Sequence, residues 1–397
     1  MASHLKETDL KASSAAIQSF QKIIYPFVGA STLALIFAAF SNFERTLFNY
    51  HIGFTFIVSI AVGGLFLAML QQVTNSGWSI VIRRVPEMFS HLIPFGFILV
   101  IPMFLGLNTL FEWSRPEALA HDPLLMHKKT YLNDTFFILR TLFYFSVWTF
   151  LYKKVVRQSI AQDHKGTAAL TQNIAKWSAI GMVLFGFTIT FAATDWIMSL
   201  KAQWFSTIYG VYYFSGIFVA VLAFTIIVIY ALQSVGYLHV INKEHFHDLG
   251  KLLYAMNVFW AYIAFSQYML IWYGNIPEET VFFADRLKSN WPDISLLLII
   301  GHFIIPFFML MSRHAKRNTF ILLFSAIWLL GMHYVDLYWL ILPNFTKDFA
   351  PLGWIEITVF VWALSICFLP VLYGLKKHDL IAHKDPRIQE SLEFHQL

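Results

Sequence analysis

Ten runs of about twenty apolar residues limit what this chain can fold into. Each is long enough to cross a hydrocarbon core of about 30 Å as a helix, and inside lipid a helix satisfies its own backbone polar groups. The runs fall at roughly 23–42, 51–70, 91–111, 133–152, 175–199, 205–234, 250–272, 293–312, 319–342 and 352–373. Composition agrees, with 58% of the 397 residues hydrophobic and 13% charged, against about 25% charged in soluble domains. The expected fold class is an all-α integral membrane protein of about ten transmembrane helices.

An even number of crossings puts both ends on one side. On that side the termini, the alternate loops and the span ends beside them hold 19 of the 28 Lys and Arg, so the positive-inside rule predicts that both termini are cytoplasmic. The chain then divides into a cytoplasmic segment 1–22, one polytopic domain 23–373 and a cytoplasmic tail 374–397. The polar start has no short apolar stretch followed by a small-residue cleavage site, so no signal peptide is expected. Trp113, Trp196, Trp204, Trp272, Trp291, Trp339 and Trp354 fall near the outer ends of spans, where indole favours the interface. Topology accounts for the net charge of +5, and nothing points to nucleic acid. The stretch Gly77–Ser90, "GWSIVIRRVPEMFS", is too short and charged to span. Its Trp78, Ile82, Val85 and Phe89 recur at helical spacing opposite Arg83 and Arg84, which predicts an interfacial amphipathic helix. Pro94 and Pro102 in the third span and Pro306 in the eighth each remove a backbone donor and bend their helices.

The only cysteine, Cys367, lies in an apolar run. A disulfide, a Cys-ligated iron–sulfur cluster and C-x-x-C-H haem attachment are thereby excluded. Any electrons passing near this chain would be carried by other subunits.

Ionisable residues within spans are rare and mark pathways or partners. Here they are Arg140, Asp195, His302, His333, Asp336 and Glu356. At 1.5 Å per residue they lie about 6 to 13 Å from the outer helix ends, so all six belong to the outer half of the membrane. His333 and Asp336 are one turn apart on the same helix face. His302 and His333 sit at matching depth on consecutive helices, which predicts that the imidazoles approach and that one of them partners Asp336. Three chemistries remain open: a proton relay through His, carboxylate and Tyr; acceptance of protons from a quinol; or a b-type haem clamped between the two histidines. In the seventh span Gln267 and Tyr268 join Arg140 as a candidate polar network, because a Gln in a span needs an interhelical hydrogen bond. Gly274–Asn275 and Pro277 should end that helix.

Two of these stretches, "FSQYMLIWYGNIPEE" (Phe265–Glu279) and "GWSIVIRRVPE" (Gly77–Glu87), resemble the ten-helix membrane subunits of alternative complex III, in the NrfD/PsrC-like membrane-anchor family. The length is similar to that of its F subunit. The resemblance covers essentially all ten spans. It implies two four-helix bundles, spans two to five (roughly 51–199) and six to nine (roughly 205–342), with spans one and ten outside them. It also implies a bacterial cytoplasmic membrane and a respiratory quinol:electron-acceptor oxidoreductase. Other membrane subunits, periplasmic multihaem cytochrome and iron–sulfur subunits, and a terminal oxidase would be the partners. Haem c and iron–sulfur clusters are expected only in those partners, with no cofactor or metal on this chain. Quinol, quinone and lipid are the small molecules it would meet.

In this family the C subunit holds quinol with intramembrane His and Asp residues. Here the corresponding types sit in spans eight and nine, and the early spans offer no His deeper than His91. The resemblance therefore implies a scaffold with a proton route through Asp336, His333, His302, Asp195 and Glu356, rather than the electron-transferring subunit. A stand-alone proton- or ion-coupled transporter and a purely structural anchor are the alternatives. The orientation is directly testable: a C-terminal reporter should be active only when cytoplasmic, and periplasmic activity would overturn the charge-based assignment.

Overall fold

The computed structural model describes residues 5–395, and every regular element among them is helical. Nine helices among these are long and apolar enough to cross a membrane. A tenth, Lys243–Gly274, runs for 32 residues. It is less apolar because Lys243, Glu244, His245, His247, Asp248 and Lys251 occupy its first turns.

The second span, Phe43–Val73, is the centre of the molecule. It packs on the fifth (Ala168–Trp196), sixth (Tyr209–Ser234), ninth (Thr319–Ile341) and tenth (Trp354–Lys377), and on the start of the third. Spans two to five form one four-helix bundle and six to nine the other, while the first span, Ser14–Ser41, packs chiefly on the tenth outside both. Close approach at the centre rests on glycine. A Cβ on Gly64 would collide with the Pro86 carbonyl oxygen and lie 3.0 Å from the Phe89 Cβ.

Two spans are irregular, as their prolines require. The third begins at Arg84 and breaks into an α-turn, a 3₁₀ stretch Ser90–Phe95 and short α-pieces to Leu110. The eighth, Trp291–Met311, widens into a π-helix over Leu298–Ile304. There the Ile305 N–H bonds the Ile300 carbonyl, so the Gly301 carbonyl would next look to residue 306. That residue is proline and has no N–H. The Trp328 indole donates to Gly301 instead, at 2.7 Å. The seventh span ends as its sequence predicts: Asn275 is left-handed (φ 47°) and Pro277 opens a separate helix.

Three expectations need correction. Helix one starts at Ser14, capped by the Ser13 side chain, so the boundary at 22 falls inside a helix whose first turns are polar. Helix two starts at Phe43, which puts His51 fully inside it, whereas the expected boundary left it at the edge. Gly77–Ser90 is also not an interfacial helix with a wet basic face. Its second half is the beginning of the third span, and Arg83 and Arg84 are each 1% exposed. Asp385 from the C-terminal tail pairs with Arg83 at 2.7 Å. Arg84 is held by Glu87, by Asp163 at 2.5 Å and by Ser159. The amphipathic pattern was real, but chain rather than water covers its charged side.

That cover gathers one face of the molecule. Leu380 donates to the Leu10 carbonyl at 2.8 Å, Tyr237 to Ser13 at 2.8 Å and Ser391 to the Trp78 carbonyl at 2.6 Å. Both termini and the loops around 71–90, 153–174 and 235–249 thus share a side, as ten crossings demand.

The packing at Gly64 yields a stability test. A backbone carbonyl cannot rotate out of the way, so Gly64→Ala should cost about 1–3 kcal/mol through overpacking and lower the detergent melting temperature. Gly29→Ala, with nothing within 4 Å of the new methyl group, should leave it unchanged.

Candidate functional site

The ionisable residues inside the spans settle into three separate places. The first joins spans four and five. Arg140 grips Asp195 with two parallel bonds, Nε to Oδ2 at 2.8 Å and Nη2 to Oδ1 at 2.9 Å. Tyr144 donates a third at 2.6 Å, and Arg140 also donates to the Tyr131 carbonyl at 2.8 Å while lying 3.8 Å from the Tyr131 ring centroid. Both carboxylate oxygens are bonded, Oδ2 twice. Such a bidentate pair is geometrically fixed, and its chemistry is positional.

Glu356 occupies the second, where spans two and ten meet at the end away from the termini. It accepts two bonds from Arg45, at 2.9 and 2.7 Å. Asn49 adds one at 2.9 Å and the Gly353 N–H, at the start of the same helix, another at 2.9 Å. The carboxylate therefore caps its own helix and ties it to the second span.

The third place is different, because Asp336 has no cationic partner bonded to it. Its oxygens accept from the Tyr212 hydroxyl at 2.5 Å and the Trp260 indole at 3.1 Å. The expected bond from His302 or His333 does not form: the helix geometry puts spans six and seven, not eight, against the carboxylate. Trp260 instead stacks on His302, ring centroids 3.7 Å apart and 16° from parallel. No hydrogen bond joins the two histidines.

His333 meets the second span, where its Nε2 lies 3.0 Å from Ser59 Oγ. Ser59 Oγ also lies 2.7 Å from the Phe56 carbonyl, so its single proton is shared between two acceptor positions and the His333 tautomer follows from which one takes it. His333 Nδ1, like both ring nitrogens of His302, has no hydrogen-bond partner among the described residues. Gly216 separates His333 from the carboxylate: a Cβ there would sit 2.9 Å from Nδ1 and 3.8 Å from Asp336 Oδ2. The site thus draws on spans two, six, seven, eight and nine, and its side chains Ser59, Tyr212, Trp260, His302, His333 and Asp336 are all buried.

Gln267 and Tyr268 do not extend the Arg140 network. Gln267 accepts from Ser206 at 3.2 Å. Tyr268 is 44% exposed and meets only the edge of Phe283 among aromatic neighbours.

Sequence reasoning missed several participants. His51 bonds the Trp196 carbonyl at 2.6 Å, and Tyr212, Trp260 and Ser59 complete the Asp336 region. Arg286, in the loop after span seven, is 3% exposed. It donates to the carbonyls of Phe282, Trp339 and Leu340 at 2.7 to 3.0 Å, and its guanidinium lies 3.5 Å from the Phe282 ring centroid. Burial lowers its pKa to about 10, so it stays charged at neutral pH. It therefore stands as a cation at the negative end of the ninth helix, beyond Asp336. The signal was an Arg flanked by aromatic residues just after a span, which on sequence alone reads as an interface anchor.

Among the described residues one group has metal-ligand spacing: Asp163, Asp379 and His383, with ligand atoms within 4.8 Å of one another. The Arg84 guanidinium on Asp163 already supplies the positive charge there.

No known family profile matches the chain, and no curated protein does.

The contrast between the saturated pair and the Asp336 cluster is measurable. Removing one partner from a buried ion pair costs about 3–5 kcal/mol, so Asp195→Asn and Arg140→Gln should each sharply reduce thermal stability and yield. Tyr268→Phe should leave both unchanged.

Proposed function

We propose that this chain is an integral membrane subunit of a bacterial respiratory quinol:electron-acceptor oxidoreductase of the alternative complex III type, where it scaffolds the assembly and carries a proton path through Asp336. The reading rests on the resemblance of the Gly77–Glu87 and Phe265–Glu279 stretches. One structural observation carries the proton role. Asp336 is buried, held by two neutral donors, and shares the space beside Gly216 with an unpartnered histidine nitrogen. A carboxylate locked to Arg, as Asp195 is, cannot readily exchange its proton. One bonded only to Tyr and Trp is not held in that way. Haem and iron–sulfur clusters belong, on this reading, to partner subunits on the face away from the termini. Much of the apolar surface of spans one, four and seven is exposed, which gives lipid or sister subunits room to pack.

A second reading, a proton-coupled transporter, draws on the broken third span and the π-helical eighth, since transporters place discontinuous helices at their binding sites. One purification separates the two. Isolated through a tag on this chain, the protein should bring down a multihaem cytochrome with quinol oxidation activity; a chain recovered alone, in a membrane that contains such a cytochrome, would favour the transporter. Within the assembled complex, Asp336→Asn should preserve subunit composition and lower quinol turnover, or its coupling to proton movement, by at least tenfold. Full activity of Asp336→Leu would remove the residue from any relay.

A further inference from the structure

On the termini side, a cleft of about 850 Å³ opens between the third, fourth and tenth spans. That volume falls within the roughly 300–1,000 Å³ of small-molecule sites. Its origin is local and physical. Pro94 in the 3₁₀ stretch of the third span and Pro370 in the tenth both line it, and neither can complete the backbone ladder that would let the helices pack closely.

The cleft is graded in polarity. Its membrane-facing wall is apolar, built from residues such as Ile98, Leu99, Ile366 and Leu369. Its mouth carries Lys153 and Arg157, which follow one another by a helical turn at the end of span four and are both exposed. Neither makes an ion pair among the described residues. Between wall and mouth stand His91, Tyr373 and His378, with His91 5.1 Å from the Tyr373 ring and 5.3 Å from that of His378.

Two polar atoms there are already desolvated and unmatched. His91 is 6% exposed, its Nδ1 faces the Glu87 carbonyl at 3.2 Å, and its Nε2 has no partner. Thr149 Oγ1, another lining residue, has none either. Leaving a buried polar atom unpaired is unfavourable, and a ligand carrying hydrogen-bonding oxygens would recover that cost. The charge near the mouth is net positive. Glu87 and Asp163 are consumed by Arg84, which leaves Asp379, 3.5 Å from His383, as the nearby acid.

We infer that this cleft binds an anionic glycerophospholipid, with the phosphodiester between Lys153, Arg157 and His378, glycerol or ester oxygens on His91 Nε2 and Thr149 Oγ1, and an acyl chain along the apolar wall. The depth suits it: Lys153 is in the last turn of span four, Arg157 follows just after it, and His378 lies just past the last turn of span ten. Basic pockets at the ends of helices are the usual means of holding such headgroups, and Arg matches a phosphate in two-point geometry. A quinone could use the histidine but would gain nothing from the two free cations.

The test uses the full chain, delipidated in a neutral detergent, with melting temperature as the readout. Dioleoyl phosphatidylglycerol should raise it saturably, and dioleoyl phosphatidylcholine should raise it by less than half as much. Inorganic phosphate alone should have no effect, because it lacks the apolar wall's share of the binding. In Lys153→Ala/Arg157→Ala the preference for phosphatidylglycerol should disappear while the lipid-free melting temperature is unchanged, since both side chains are exposed and unpaired. His91→Phe, as a second variant, should weaken the midpoint at least threefold. Equal response to the two lipids, an undiminished preference in the double variant, an equal effect of phosphate, or displacement of phosphatidylglycerol by a short-chain ubiquinone would each overturn the assignment.

Discussion

The second span is buried along its length, and the rest of the molecule depends on that. In lipid there is little hydrophobic drive between helices, so association relies on close packing and interhelical hydrogen bonds. This helix supplies both. Gly64 admits the backbone of the third span. Arg45 and Asn49 hold the tenth through Glu356, His51 bonds the end of the fifth through the Trp196 carbonyl, and Ser59 fixes His333 in the ninth. Four of its polar side chains thus reach three different helices, and the two bundles share one axis.

Charge obeys a second constraint. A charged group taken from water is costly unless paired or hydrogen-bonded. Asp195 and Glu356 meet this demand with arginines and further donors, and the cations on the termini side do so with Asp385, Glu87 and Asp163. Arg286 meets it with three carbonyls. Asp336 has only Tyr212 and Trp260 bonded to it. Of the three acids deep in the outer half of the spans, Asp195 and Glu356 are thus locked to arginine and Asp336 is not.

How much of this is legible in the sequence follows from what each feature depends on. Spans are readable because twenty apolar residues are a local fact, and the break in the third span and the π-turn in the eighth follow from single prolines. Helix ends are less readable. The polar turns of Ser14–Lys22 and Phe43–Tyr50 look like loop until the tenth span and the C-terminal tail pack beside them, and His51 is misplaced with them. Arg83 and Arg84 show the limit of amphipathic reasoning, since periodicity gives the polar face but not what covers it. The candidate site was half visible. Asp336, His333 and His302 do share one region, because ionisable residues in spans are conspicuous. Tyr212, Trp260 and Ser59 are not, because in a chain this rich in aromatics and hydroxyls each also fits as packing. Only tertiary contact distinguishes them, and it also removes Tyr268 to the surface.

The central claim is that Asp336, unlike Asp195 and Glu356, changes its protonation when the protein works. Infrared difference spectroscopy of the assembled complex on quinol addition observes carboxyl groups directly. A protonated-carboxyl band that appears or shifts in the native protein, and is lost in Asp336→Asn but retained in a stable variant at a distant surface residue such as Tyr268→Phe, is the predicted result. A difference spectrum with no carboxyl band, or one that Asp336→Asn leaves unchanged, would contradict the account.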